Sequence, residues 1–182
     1  MKEPKVKTQT QTKTKEKSEY IYRSFKFRIY PDPAQIIQIG KSVGCSRKVF
    51  NHFLGLWIST YESNPNFKGF TANDLKNMLP DLKRRDDLIY LAEVDSNALQ
   101  FSAETVRRSF DNFFSGQNRF PKFKAKHHSR KSCHSKNNKS SIRIEGNQIR
   151  IPILGFVKTS LSRSLSHSDQ ILSATISDRS IG

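Results

Sequence analysis

Residues 25–54 read FKFRIYPDPAQIIQIGKSVGCSRKVFNHFL, and the hydrophobic period changes inside them. Over residues 20–30 apolar and charged side chains alternate. Phe25, Phe27 and Ile29 share one face and Lys26 and Arg28 the other, the two-residue repeat of a half-buried strand. Pro31 ends that strand. Asp32 followed by Pro33 is a helix start, because Asp accepts from free backbone amides and a proline in the first turn gives up no hydrogen bond. Ile36, Ile39, Val43, Phe50, Phe53, Leu54, Trp57 and Tyr61 then recur at three- and four-residue steps, which predicts one long amphipathic helix. Gly40 and Gly44 lie one turn apart within it, each costing about 1 kcal/mol relative to Ala. Either a close backbone or nucleic-acid strand offsets that cost, or the helix tolerates it.

Working outward, Asn64-Pro65-Asn66 and Lys68-Gly69 mark a loop. Thr71 with Asp74 three residues on forms a capping box that opens a short helix closed by Pro80, and a second short helix fits residues 86–92. From Asp95, Leu99, Ala103, Val106, Phe110 and Phe113 or Phe114 make a stripe ending near Gly116, with Arg107 and Arg108 off it. Beyond Arg119 the period returns to two. Ile142 and Ile144, then Ile149 and Ile151, flank Glu145-Gly146-Asn147-Gln148 as a hairpin, and residues 156–157 and 171–176 are further strands. The early strand has no local partner, so it is expected to pair with the late ones. The predicted fold is α+β, with a small β unit (20–31 and 119–182) interrupted by a helical insert (32–118).

Charge is distributed unevenly. Of the net +16, residues 119–150 carry +9, with ten Lys and Arg against Glu145 alone, whereas residues 61–118 carry −2. Cations that crowded repel one another unless a polyanion neutralises them, and counterion release from phosphates rewards such a surface, so nucleic acid is the expected partner. No apolar run reaches the roughly 18–20 residues of a membrane span, and no apolar stretch follows the N-terminal lysines; a cytoplasmic protein without signal peptide or anchor is expected. Residues 1–19, rich in Lys, Thr and Gln, read as a disordered basic tail. Cys45 and Cys133 are too few for a disulfide framework or a four-cysteine zinc site. His127, His128, Cys133 and His134 are ligand types for zinc, but their spacing matches no familiar site and the surrounding cations oppose one; a mobile basic loop accounts for them, and no metal or cofactor is expected.

The candidate nucleic-acid contacts are Lys26, Arg28, Arg47, Lys48, Asn51, Arg119, Lys122, Lys124, Lys126, Arg130 and Lys131. Asn51, four residues after Arg47, shares its helical face and has the amide to reach a base or phosphate. Exposed, Phe120 and Phe123 stack on bases; buried, they anchor a Lys-rich strand to the β unit. Burial is the expectation, with Lys122, Lys124 and Lys126 alternating onto the opposite face to line a groove.

These residues also carry a family resemblance. Tyr30-Pro31 leading into Gly44, Cys45, Arg47, Phe50 and Asn51 resembles the opening of the OrfB/TnpB family of bacterial insertion-sequence proteins. The likeness continues in order through Val94-Asp95-Ser96 with Leu99-Gln100, Ser109-Phe110, Phe113-Phe114, FPKFKAK, Asn137-Asn138, IPILGFVKTSLSRSL and SATIS, and so covers residues 20–177. It implies a wedge-type β-barrel interrupted by a helical recognition domain, together gripping guide RNA and target DNA. In the family these helices are read as a helix-turn-helix; long packed helices suit the residues here better. The family's RuvC-like nuclease, with its magnesium-binding carboxylates and structural zinc, is expected only beyond Gly182. Asp169 and Asp178 are isolated carboxylates, so this chain is expected to hold no catalytic residue. Three readings follow: the binding portion of a transposon-associated, TnpB-type protein, a decayed transposase remnant, or one half of a split RNA-guided endonuclease.

Overall fold

A computed structural model describes residues 21–163 and 170–177. The basic tail at 1–19 and the carboxylates Asp169 and Asp178 lie outside the described residues. The elements in order are β1 (Arg28–Tyr30), α1 (Pro33–Ser63), α2 (Ala72–Asn77), α3 (Leu79–Arg84), a 3₁₀ helix (Asp86–Glu93), α4 (Ser96–Phe114), β2 (Ser132–Lys136), β3 (Arg143–Glu145), β4 (Gln148–Ile151), β5 (Gly155–Ser160) and β6 (Ser173–Ser177).

Helix α1 starts where Asp32-Pro33 predicts. The Gln35 amide donates to Asp32 Oδ1 at 2.8 Å and the Asp32 amide to Gln35 Oε1 at 3.0 Å, a reciprocal box that satisfies two otherwise free amides. Thr71 and Asp74 repeat the device at α2. Pro80 opens α3 rather than simply closing α2, because its ring fits a first helical turn where no amide is required. Gly40 and Gly44 face open space, with no protein atom within 4 Å of an added Cβ, so close approach of another part of the chain does not account for them.

Trp57 is the centre of the helical core. Its indole stacks on Phe110 of α4 (centroids 4.2 Å apart, planes 10° apart) and meets Phe67 and Phe70 edge-on at 5.8 and 5.7 Å. Val49, Phe53 and Leu54 from α1, Leu75 from α2, Leu91 from the 3₁₀ helix, and Leu99, Ala103 and Val106 from α4 are fully buried around it. Gly69 has φ +91°, and a Cβ there would lie 2.7 Å from Trp57 Cζ2, so only glycine lets the chain turn over the indole.

β1 pairs antiparallel with β5 across most of the sequence, Ile29 opposite Thr159, as the lone early strand requires. The four-stranded sheet runs β1-β5-β4-β3, and β3 and β4 are the predicted hairpin, turning at Gly146 with φ +54°. The expected barrel does not close among the described residues. β2 pairs only with β6, in a separate two-stranded sheet. That sheet is held against α4: the Ser135 hydroxyl donates to Asp95, the cap of α4, and Lys136 Nζ reaches Glu104 at 2.8 and 2.9 Å. Asn137 then connects the sheets, its Nδ2 donating to Ile142 O and Ile171 O and its Oδ1 accepting from the Ile142 amide. Cys133 and His134 therefore lie in strand β2 and not in a loop.

Candidate nucleic-acid interface

Residues 119–131 leave α4 and run over α1 without forming a strand. What fixes them is Asn51, whose Nδ2 donates to Lys124 O at 3.0 Å while its Oδ1 accepts from the Lys124 amide at 2.8 Å. Its amide is thus engaged by protein backbone and positions a basic segment. The alternation expected for this segment does not hold. Phe123 is 58 % and Phe120 46 % exposed, Lys122 and Lys126 face solvent, and Lys124 is tucked inward with Nζ 3.9 Å from the Phe50 ring centroid. The physical reason is that one Asn51–Lys124 anchor, rather than a sheet ladder, sets which side chains turn inward. Phe120 still packs edge-on to Phe110 and Phe113, at 5.7 and 5.3 Å, whereas Phe123 lies over Gly55 on α1.

Between α1, α4, this segment and β2 lies a concavity of about 340 Å³. Arg47 from α1, Lys124, Arg130 and Lys131 all line it, along with Ser46 and His134. Several of the described acids are engaged elsewhere: Glu104 holds Lys76 and Lys136, Asp111 holds Arg107, Glu93 holds Lys41 and Asp87 holds Arg85. Among the described residues no carboxylate pairs with Arg47, Lys124 or Arg130. Burial pushes the Lys124 ammonium below its ordinary pKa. Cys133, also in the wall, has its thiol pushed up to about 11 by burial and by Asp95, so it stays neutral and does not offset the cations. His134 stacks on Phe101 (centroids 3.8 Å), and Nδ1 lies 2.8 Å from Thr175 Oγ1; burial, then Lys136 and Arg108, lower its pKa. Arg47, Lys124 and Arg130, without a carboxylate partner among the described residues and set in a partly enclosed site, attract an anion.

The other predicted contacts stand around this site or apart from it. Lys48 is exposed beside Arg47 on α1, Arg119 is exposed just after α4, and Lys26 and Arg28 lie at β1, an edge of the four-stranded sheet. Ser46 carried no sequence signal, since a serine inside a helical stripe normally donates to the carbonyl one turn back. Ser42, Thr60, Ser102, Thr105 and Ser109 do so here. Ser46 is 7 % exposed, and its Oγ has no hydrogen-bond partner among the described residues. No group of three or more His, Cys, Asp or Glu among the described residues is placed to hold a metal ion, and no described helix is long and apolar enough to cross a membrane.

Residues 21–65, which span β1 and α1 and so supply Ser46, Arg47 and Asn51, match the helix-turn-helix domain of OrfB proteins. About a quarter of the chain is thus similar to an OrfB-family domain. Its fold departs from the domain's description, because no turn interrupts α1 between Pro33 and Ser63. A protein of Streptomyces pristinaespiralis described as a candidate RNA-guided DNA endonuclease is 27 % identical over 115 residues, 63 % of this chain. The chain spans 28 % of that relative's length. Within the matched residues the long helix meets the basic segment through Asn51 and the core through Phe53 and Trp57.

Proposed function

We propose that this chain is the nucleic-acid-binding portion of a TnpB-type, transposon-associated protein and grips RNA, DNA or both through the phosphate backbone. The observation that carries the reading is the gathering of Arg47, Lys124 and Arg130 into one concavity, where none of the three has a carboxylate partner among the described residues. Lys48, Arg119, Lys122 and Lys126 extend the positive track, and Lys26 and Arg28 supply a second basic edge. Helix-turn-helix domains bind DNA, and the relative's described activity is RNA-guided, so both nucleic acids are reasonable ligands. The layout that accompanies this reading is a wedge-like unit (20–31 and 119–182) with a helical recognition insert (32–118); the β1–β5 pairing supports it. Binding rather than cleavage is the role assigned to these residues, with strand scission left to a RuvC-like nuclease elsewhere in a longer or split protein. Fluorescence anisotropy against added salt tests the reading. Affinity for structured RNA or duplex DNA falls steeply with salt, and replacing Lys122 and Lys126 by Gln flattens the log-log slope by up to about two, at about 0.7–0.9 per phosphate contact. An unchanged slope overturns the assignment.

A further inference from the structure

Ser46 is an anomaly that the fold itself does not explain. Every other serine and threonine hydroxyl on α1 and α4 has a hydrogen-bond partner, most often the carbonyl one turn back. Ser46 has the same backbone carbonyl within reach by helix geometry, yet its Oγ is buried and unpartnered. A donor left in that condition lowers the stability of the empty protein, unless a ligand completes it. The concavity that Ser46 lines is where Arg47, Lys124 and Arg130 lack acidic partners among the described residues. Orphaned donor and unneutralised cations point to the same missing group, one with several acceptor oxygens and negative charge.

We propose that the concavity is a socket for one internal phosphodiester of a nucleic-acid strand, its oxygens accepting from the Ser46 hydroxyl and from the Arg47 and Arg130 guanidiniums. The inference rests on the nucleic-acid reading above and specifies it. A space of about 340 Å³ takes a phosphate together with part of its sugar, more than a bare ion needs. Exposed Lys48 continues the charge along α1, and exposed Lys122 and Lys126 flank Lys124 on both sides, so positive surface runs on beyond the socket. A strand passing through meets cations before and after it, which favours an internal phosphodiester over a terminal phosphate. The Asn51 clamp sets the depth of the socket by holding Lys124 against α1.

The test uses the full chain with three probes: inorganic phosphate, a single-stranded octanucleotide with a 5′-hydroxyl, and the same octanucleotide with a 5′-phosphate. Binding is read by anisotropy for the oligonucleotides and, for all three, by NMR of the His134 ring protons, which report from the wall of the socket. Expected for the wild type are equal affinities for the two oligonucleotides and a His134 shift with each probe. Ser46→Ala should weaken oligonucleotide binding about tenfold, the loss of one charge-assisted hydrogen bond, while leaving the melting temperature unchanged or raised. Arg130→Gln, at an exposed position, should weaken binding without touching the fold, and Ser59→Ala on the same helix should change neither. Tighter binding of the 5′-phosphorylated strand would replace the internal phosphodiester by a terminal one. Unaltered affinity in both Ser46→Ala and Arg130→Gln, with salt-sensitive wild-type binding intact, would overturn the socket and leave the nucleic-acid reading standing. A His134 response to inorganic phosphate with no binding of either oligonucleotide would overturn that reading and this inference with it.

Discussion

Asn51 and Lys124, 73 positions apart, are joined by two hydrogen bonds that run in opposite directions, from the Asn51 amide to the Lys124 carbonyl and from the Lys124 amide back to Asn51 Oδ1. A side-chain amide offers a donor and an acceptor side by side, so the pair acts as a single link of sheet ladder. Asn51→Leu should release the segment at residues 119–126 at a cost of about 1–3 kcal/mol. Hydrogen exchange at the Lys124 amide reads it directly. Undiminished protection there would mean the segment is held by something else.

Phe123 is exposed, so truncating it costs the fold little. Phe123→Ala should leave the melting temperature within about 1 °C while weakening single-stranded oligonucleotide binding by about 1–3 kcal/mol, if a base stacks on the ring. Phe120→Ala, which loses contacts to Phe110 and Phe113, should cost measurable stability as well. A stability loss in Phe123→Ala as large as that in Phe120→Ala would contradict the exposed placement.

Glu104 bridges Lys76 of α2 and Lys136 of β2. Burial pushes its pKa up, but the hydrogen bonds and charges of the two lysines outweigh that and hold it below the ordinary carboxylate value. A carboxylate whose folded pKa is depressed contributes stability above its unfolded pKa, and loses it as pH falls through the folded one. Stability of the wild type should therefore drop below about pH 4, the ordinary carboxylate range. Glu104→Gln should be about 1–2 kcal/mol less stable at neutral pH. The difference should shrink on acidification, as denaturant titrations at pH 7 and pH 3 would show. A difference that is constant with pH would sink the argument.

At Gly69 an alanine meets two penalties, a left-handed backbone and an indole carbon 2.7 Å away. Gly69→Ala should lower stability by about 2–4 kcal/mol. Near-UV circular dichroism of Trp57, the single tryptophan, should change with it. A wild-type spectrum and midpoint would show that the loop over the indole can yield.

The elements with local chemical signals were legible in the sequence. Asp32-Pro33 and Thr71 with Asp74 announce α1 and α2, since capping depends only on neighbours in the chain. The β1–β5 pairing was legible by elimination, because Phe27 and Ile29 needed a partner that no nearby strand supplies. β2 was not. Its sequence SCHSK has no apolar alternation, and its stability comes from Asp95, Phe101 and Glu104 on a distant helix. The barrel failed for the same reason, since β2 and β6 stand apart from the other four strands. Of the candidate site, the cationic residues were visible as charge, but their convergence was not, nor was the clamp that turns Lys124 inward and Phe123 outward.

Helix α1 is docked at its first turn to the four-stranded sheet, where Gln35 Nε2 donates to Leu154 O and Phe156 O at 3.1 and 2.9 Å. It carries Ser46 and Arg47 near its middle and Trp57 in the helical core farther on. At about 1.5 Å per residue, the basic concavity stands about 17 Å along the axis from the sheet and about the same distance from the indole. The helix is a ruler, and its graduations are set by backbone geometry that side-chain replacement cannot alter. Insertion of one residue between Gln35 and Ser46 would put the sheet anchor and the hydroxyl about 100° out of phase, although every contacting side chain would still be present.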